Sequence, residues 1–243
     1  AVPPAVAPRV VPPAAAPRVP GIPAAVSPAL YAAPPVPIPG DWYDADYFEH
    51  GRTSNWDRGY HWPVFQTLFR DASLWLTECF PQAHSALDIG CAKGFLVRAL
   101  RERGIAAFGF DHSPWAIEHA DPVARPYLRL AGVDDVSWQQ GCDLATAMFV
   151  LESLTEAQLR AFLPRARGWV RQGLVAVIAP PWAAGRDRDP TRVTRRDRAG
   201  WRALFLECGW RQDTIHLLFE KSCATRAVPR RLGWDVHVFA PGP

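Results

Sequence analysis

Leu87-Asp88-Ile89-Gly90-Cys91-Ala92-Lys93-Gly94 closes a short apolar run with an acid and passes into a glycine-containing turn. The run opens at Ser85, and a helical pattern, Phe95–Arg103, follows directly. Gly90 and Gly94 let the backbone turn tightly and approach a ligand where a Cβ would clash. The following helix aims free amides and a partial positive charge at the same point. Strand, glycine turn and helix in this order mark the place where open α/β sheets bind nucleotides. One unit later Ile105–Phe110 is a second apolar run, and Asp111 ends it 23 residues after Asp88. An acid there is placed to accept hydrogen bonds from two ribose hydroxyls.

Outward from this segment the same alternation continues. Before it, Pro63 to Phe80 carries Val64, Phe65, Leu68, Phe69, Ala72, Leu76 and Phe80 at helical spacing. After it, Ser113-Pro114 is a helix start, serine as cap and proline in the first turn. Apolar runs recur at Tyr127–Leu130, Asp143–Leu151, Leu174–Ala179, Thr214–Phe219 and Trp234–Phe239, with helical patterns at Glu156–Val170 and Arg195–Cys208. Short apolar strands alternating with helices predict an α/β fold with a mostly parallel sheet, covered on both faces.

The turn discriminates between two nucleotide classes. A dinucleotide fingerprint needs G-x-G-x-x-G, and Gly90–Gly94 lacks it, which counts against a nicotinamide oxidoreductase. Asp88, ahead of the glycine, would repel a pyrophosphate and favour a ligand carrying an ammonium and a sulfonium. That chemistry is S-adenosylmethionine (SAM). A buried aspartate without a partner is costly, so a turn with no ligand is the weaker reading.

Leu87–Gly94 and Gly109-Phe110-Asp111-His112-Ser113 together resemble the first two motifs of class I SAM-dependent methyltransferases. Asp143–Leu154 (DLATAMFVLESL) resembles the family's fourth-strand motif, commonly DLV…VLEHL, and Gly173–Pro180 its fifth strand. Asp189–Thr194 (DPTRVT) resembles a D-P-T-H-V-T stretch of bacterial members, and Asp41–Gly51 (DWYDADYFEHG) their leading segment. The resemblance spans about residues 41–240. It implies a Rossmann-like, doubly wound, seven-stranded, mostly parallel sheet with one antiparallel strand. It also implies SAM as cofactor. By position, Asp88, Gly90, Cys91, Ala92 and Gly94 would shape the pocket for the methionine part. Asp111 and Ser113 would serve the ribose side, and His112 would lie against the adenine. Asp134 is a candidate for the adenine amino group or a solvated loop acid. Phe149 would face the cofactor or belong to the core.

Two departures bear on catalysis. The family's Glu-His after the fourth strand is Glu152-Ser153, and the D-P-T-H-V-T histidine is Arg192. Methyl transfer is mostly alignment, worth about 7–11 kcal/mol. A base is needed only where the nucleophile must lose a proton during attack. The candidates are His61, within Tyr60-His61-Trp62, then Glu152, then His50. Each also has a plain reading: a surface or capping histidine for His61, a helix-cap acid for Glu152. The cluster Trp42, Tyr43, Tyr47, Phe48, Trp56, Tyr60 and Trp62 is either a lid over the pocket or an N-terminal segment packed on the sheet.

Composition narrows the alternatives. A net charge of +3 argues against nucleic acid and anionic membrane surfaces. The arginines of Arg186–Arg198 alternate with Asp187, Asp189 and Asp197, so this stretch reads as a largely self-neutralised loop that could help to hold an anionic substrate. Five cysteines, none in C-x-x-C spacing, predict no metal site and no disulfide framework, and fit a reducing cytoplasm. Residues 1–40 hold thirteen of the 25 prolines, and Val2–Val10 recurs almost unchanged as Val11–Val19. Proline has no amide donor, so this segment reads as a disordered or semi-rigid Pro/Ala-rich tail outside the fold, with a proline-binding partner as the alternative. The domain expected from 41 to 243 begins with an aromatic helical cap, about 41–80. These features point to a methyltransferase acting on O or N of a small-molecule acceptor, in bacterial secondary or cell-envelope metabolism. A methyltransferase of protein or RNA and a non-catalytic SAM-binding protein are the alternatives.

Overall fold

The computed structural model describes residues 36–179, 189–224 and 235–243. The proline-rich repeat lies outside the described residues. Ile38 already packs against the core, just ahead of the expected boundary at 41. In chain order the elements are α1 (Ala45–Phe48), α2 (Trp62–Cys79), β1 (Ser85–Ile89), α3 (Phe95–Arg101) and β2 (Ala106–Asp111). Then come α4 (Pro114–Glu118), β3 (Leu128–Leu130), β4 (Cys142–Met148), α5 (Glu156–Arg167) and β5 (Val170–Ile178). The last are α6 (Arg198–Glu207), β6 (Trp210–Arg211), α7 (Thr214–Ala224) and β7 (Asp235–Pro241).

The strands form one seven-stranded sheet in the order β3-β2-β1-β4-β5-β7-β6. Neighbours from β3 to β5 run parallel, and β7 is antiparallel to both β5 and β6. This is the Rossmann-like arrangement implied by the motifs. Successive side chains of a strand point to opposite faces. Val175 and Val177 therefore enter one core cluster, with Phe95, Leu96 and Leu100 of α3 and Trp75 and Leu76 of α2. Leu174, Ala176 and Ile178 enter the other, with Leu159, Phe162 and Leu163 of α5 and Trp201, Leu204 and Phe205 of α6. The chain moves outward from β1 to β3, then returns to place β4 on the other side of β1. The loops after β1 and β4 diverge there, and a crevice opens at the strands' carboxyl ends.

Local capping agrees with the sequence. Ser113 accepts a hydrogen bond from the Ala116 amide at the start of α4, and Thr155 and Gln158 form a reciprocal capping box on α5. One expected strand is a helix. Thr214–Phe219 looks like a strand because its residues are β-branched, apolar or aromatic, yet it opens α7. Its inward face is His216, Glu220 and Cys223, at helical spacing, while Ile215 and Leu218 face solvent. Apolar periodicity misleads here because the buried positions are polar: Glu220 accepts from the Val238 amide of β7 at 2.8 Å and from Gln212 at 2.6 Å. The sixth strand is the two-residue β6 just before it. Among the described residues no helix is long and apolar enough to cross a membrane.

Candidate active site

The crevice at the β1 and β4 ends opens into a cavity of about 510 Å³, within the range of roughly 300–1,000 Å³ typical of small-ligand sites. Its floor comes from the glycine turn. Asp88, Gly90, Cys91 and Ala92 line it, together with Phe110, Asp111 and His112 from the end of β2.

Asp88 is nearly fully buried and stands opposite Thr146 in the β1–β4 register. The Thr146 hydroxyl donates to its Oδ1 at 2.6 Å. Burial pushes the Asp88 carboxyl up to about 7, while Thr146 pulls it back and neighbouring Asp111 adds to the rise. Gly90 has φ +66°, and a Cβ there would meet Val150 at 2.3 Å. Both facts hold the position to glycine.

Asp111 is set by its own neighbours. Its Oδ2 accepts from the Ala92 amide at 2.8 Å, and its Oδ1 from the Ser113 amide at 2.8 Å. Burial raises its pKa, and His112 and these amides oppose the rise. Each carboxylate oxygen retains a further acceptor site. The His112 ring tilts against that of Tyr43, with centroids 4.9 Å apart. This donor set fits an adenosyl ligand: a fixed carboxylate for paired hydroxyls, an aromatic wall beside it, and a buried acid one strand away.

Three of the residues expected to hold the cofactor do not line the cavity. Gly94 takes φ +81° as the cap of α3, and a Cβ there would strike Ala124 and Leu128 at 2.7 Å. Its glycine serves packing of the turn. Ser113 is fully buried, caps α4 and donates to the Tyr43 carbonyl at 2.6 Å, so it pins the leading segment to the sheet. Asp134 is exposed and accepts from Gln158 of α5 at 2.8 Å. Ala131 and Val133 line the cavity on that side instead.

Neither preferred base lines it. His61 caps α2 and contacts Glu49 at 3.0 Å, with nearly half its side chain in solvent. Glu49 also takes Lys93 of the glycine turn at 2.8 Å, which ties the leading segment to the floor. Glu152 is buried beside the cavity, where its Oε1 accepts from the Ala179 amide at 3.0 Å and Arg192 Nε lies 4.0 Å away. Among the described residues its Oε2 has no hydrogen-bond partner. Burial lifts the carboxyl to about 7, against the pull of Arg192. His50 is exposed and pairs with Asp46.

Phe149, just past β4, does line the cavity. Its φ is +58°, an uncommon conformation for a bulky side chain. Its amide donates to the Val177 carbonyl at 2.7 Å and helps to hold it there.

The remaining walls come from three segments distant in sequence. Tyr43, Tyr47, Phe48, Trp56, Tyr60, Phe65 and Phe69 contribute rings from the leading segment and α2. Both readings of this aromatic cluster hold together, because the same residues line the cavity and pack. Phe48 stacks on Trp115 at 5.5 Å and Tyr60 on Phe95 at 4.7 Å. Trp42 and Trp62 are the exceptions: neither lines the cavity, Trp42 is 44% exposed, and Trp62 packs edge-on against Phe95. Ser153, Leu154, Asp189 and Arg192 complete the lining. Tyr47 donates to Asp189 Oδ2 at 2.8 Å across 142 residues of chain, and the Thr191 amide and hydroxyl both donate to Asp189 Oδ1. The burial of Tyr43 pushes its phenol up to about 12, and that of Tyr47 pushes it well above the ordinary phenol value. Neither is a base at neutral pH. Sequence reasoning placed Tyr43 and Tyr47 only within a cluster and gave Asp189 and Ser153 no site role. The signal available was the D-P-T-x-V-T stretch itself.

The model of the methyltransferase domain family matches residues 64–221, more than half of the chain. The chain belongs to that family. It is a class I SAM-dependent methyltransferase, with SAM as its cofactor. No curated protein matches the sequence. Among solved structures the methyltransferase resembles the CcbJ methyltransferase from Streptomyces caelestis, at 13% identity and TM-score 0.54, over 72% of this chain and 90% of that one. It resembles a TehB-like SAM-dependent methyltransferase from Corynebacterium glutamicum, at 16% identity and TM-score 0.53, over 74% and 94%. A third is the plantazolicin methyltransferase BpumL in complex with SAH, at 11% identity and TM-score 0.53, over 73% and 83%. At these identities the likeness is one of fold. Among the described residues no cluster of three or more His, Cys, Asp or Glu is arranged to hold a metal.

Proposed function

We propose that this methyltransferase transfers the methyl group of SAM to an oxygen or nitrogen of a small-molecule acceptor. One observation carries the reading: the cavity is roofed by buried side chains of the leading segment, Tyr43, Tyr47, Phe48 and Tyr60, which are fastened to the floor by Glu49–Lys93 and Ser113–Tyr43. An acceptor must fit beneath that roof, which suits a small molecule better than a folded protein or RNA. The chain's modest net charge points the same way.

Bound SAM supplies a methyl on a sulfonium; transfer breaks the sulfur–carbon bond, forms an oxygen–carbon or nitrogen–carbon bond and leaves the acceptor's proton to be taken up. The protein's part is alignment. Asp111 would hold the ribose hydroxyls, and Asp88 would offer a carboxylate to the cationic end of the ligand. The aromatic walls exclude water and fix the acceptor's plane. With His61 outside the cavity and the tyrosines far too weakly acidic to serve as bases at neutral pH, the preferred acceptor is one that sheds its proton readily or carries a neutral amine. Calorimetry with S-adenosylhomocysteine (SAH) tests the cofactor half, and methyl transfer from labelled SAM to phenols, amines, total RNA and protein tests the acceptor half. Transfer confined to RNA or protein would overturn the small-molecule reading.

A further inference from the structure

Resting on that reading, we propose that the acceptor carries a short alkyl substituent, which enters a second cavity beside the first, between α2 and the sheet. This side cavity has a volume of about 30 Å³. Leu68 and Met148 line both cavities, so the two meet at these side chains. One wall is α2, whose Leu68, Ala72 and Leu76 stand at i, i+4 and i+8 and share a helix face. The other is a row across three neighbouring strands: Met148 of β4 stands opposite Val177 of β5, and Val177 opposite Val236 of β7. Cys223 of α7 adds to the lining.

The volume is that of roughly two to three water-sized spheres. Water is a poor occupant, because a buried water takes about two to four polar partners. Among the described lining residues only Asp71 and Thr146 carry side-chain oxygen, and the Thr146 hydroxyl is turned to Asp88, to which it donates at 2.6 Å. Nor do the walls close on one another. Val177 and Val236 are fixed by strand pairing. The α2 wall is fastened to α7, because the Trp75 indole donates to Ser222 Oγ at 2.9 Å and Phe80, the cap of α2, meets Phe219 edge-on at 5.3 Å. A gap that does not collapse leaves its lining without contacts on one side. An alkyl group of about two or three carbons restores them and leaves water in doing so. The entrance suits such a group. Met148 is unbranched and adapts its rotamer, and Phe65 and Phe69, which flank Leu68 along α2, line the main cavity. A ring held against them lies beside the opening.

The test uses the full chain loaded with SAH and phenols and anilines that bear straight alkyl groups, methyl to hexyl, at the ortho, meta or para position. Each has a counterpart whose chain ends in a hydroxyl. Binding is read by calorimetry for the wild type, Ala72→Leu and Val236→Ile, which enlarge side chains that line the side cavity and not the main one. In one positional series affinity should rise about fourfold per carbon for the first two or three carbons and then level off. The terminal hydroxyl should cancel the gain. Ala72→Leu should abolish the rise while the unsubstituted ring and SAH bind as in the wild type. Val236→Ile should shorten the best chain by about one carbon. Thermal unfolding with SAH confirms the fold of each variant, and Val236→Ile carries the test should Ala72→Leu fail to fold. A rise that continues to hexyl, or that survives both substitutions, overturns the proposal. Rings bound without regard to chain length overturn it alone and leave the small-molecule reading standing. A protein that binds SAH but no ring at all overturns both.

Discussion

The two sides of the cavity are built differently. The side we assign to the adenosyl ligand is lined from residues 88–92 and 110–112, the ends of two strands paired in register. The side we assign to the acceptor draws on residues 43–69, 149–154 and 189–192, joined by contacts such as Tyr47–Asp189 across 142 residues of chain. The first side is a local device: backbone amides of the turn orient Asp111, and Thr146 on the adjacent strand orients Asp88. The second exists only once the sheet is assembled. Local devices are rigid and transferable between folds, whereas assembled walls vary from chain to chain and decide what is bound.

The largest effect should separate the two sides outright. Asp111→Ala removes a carboxylate from paired hydroxyls, and SAH affinity by calorimetry should fall more than about 100-fold. Asp189→Ala should leave SAH affinity within about threefold and raise the KM of the acceptor. Equal losses in the two variants would erase the division.

Next comes pH. The Asp88 carboxyl titrates near 7, and a cationic ligand prefers its ionised form. SAM affinity should therefore drop about tenfold between pH 8 and pH 6, and Asp88→Asn should flatten that profile. Thr146→Ala removes the hydroxyl that pulls the carboxyl down, so the midpoint should move upward. An unmoved midpoint would show that the titrating group is not Asp88.

The ligand-free protein should show the same acids in its stability. Asp88 and Glu152 have folded pKa values near 7, above their ordinary values, so the folded state binds more protons than the unfolded chain between about pH 4 and 7. The contribution of these groups is fully favourable below that window and is lost as pH rises through 7. Glu152→Gln should shallow the decline of Tm between pH 5 and 8, whereas a parallel decline would exclude Glu152 as a source.

Two smaller effects complete the comparison. Tyr47→Phe deletes one donor to Asp189 and should cost about 1 kcal/mol in denaturant unfolding, with a larger relative effect on acceptor KM than on SAH affinity. His61→Gln breaks only a half-exposed contact with Glu49 and should stay within about 0.5 kcal/mol of wild type. Turnover should be unchanged. A collapse of turnover in that variant would return His61 to the active site.

Much of the first side was legible in the sequence because its geometry is encoded at short range. An acid before a glycine, a second acid one β-α unit later and alternating apolar runs suffice to place Asp88, Gly90 and Asp111. Elsewhere local pattern and burial disagree. Gly94 and Ser113 have the residue types of ligand contacts, but one is held by close packing and the other caps a helix. Thr214–Phe219 has strand-like composition, but its buried face is polar, a choice that only the partners on β7 explain.

The sequence by itself determined the α/β class, the adenosyl cofactor and the glycine turn at the end of β1, because turn and capping chemistry act over a few residues. Only the tertiary structure decided that the aromatic leading segment is wall and packing at once, that Glu152 sits behind the cavity, and that Arg192 faces into it. Those outcomes depend on which side chains are taken out of water together. That is settled by the packing of segments that are distant along the chain.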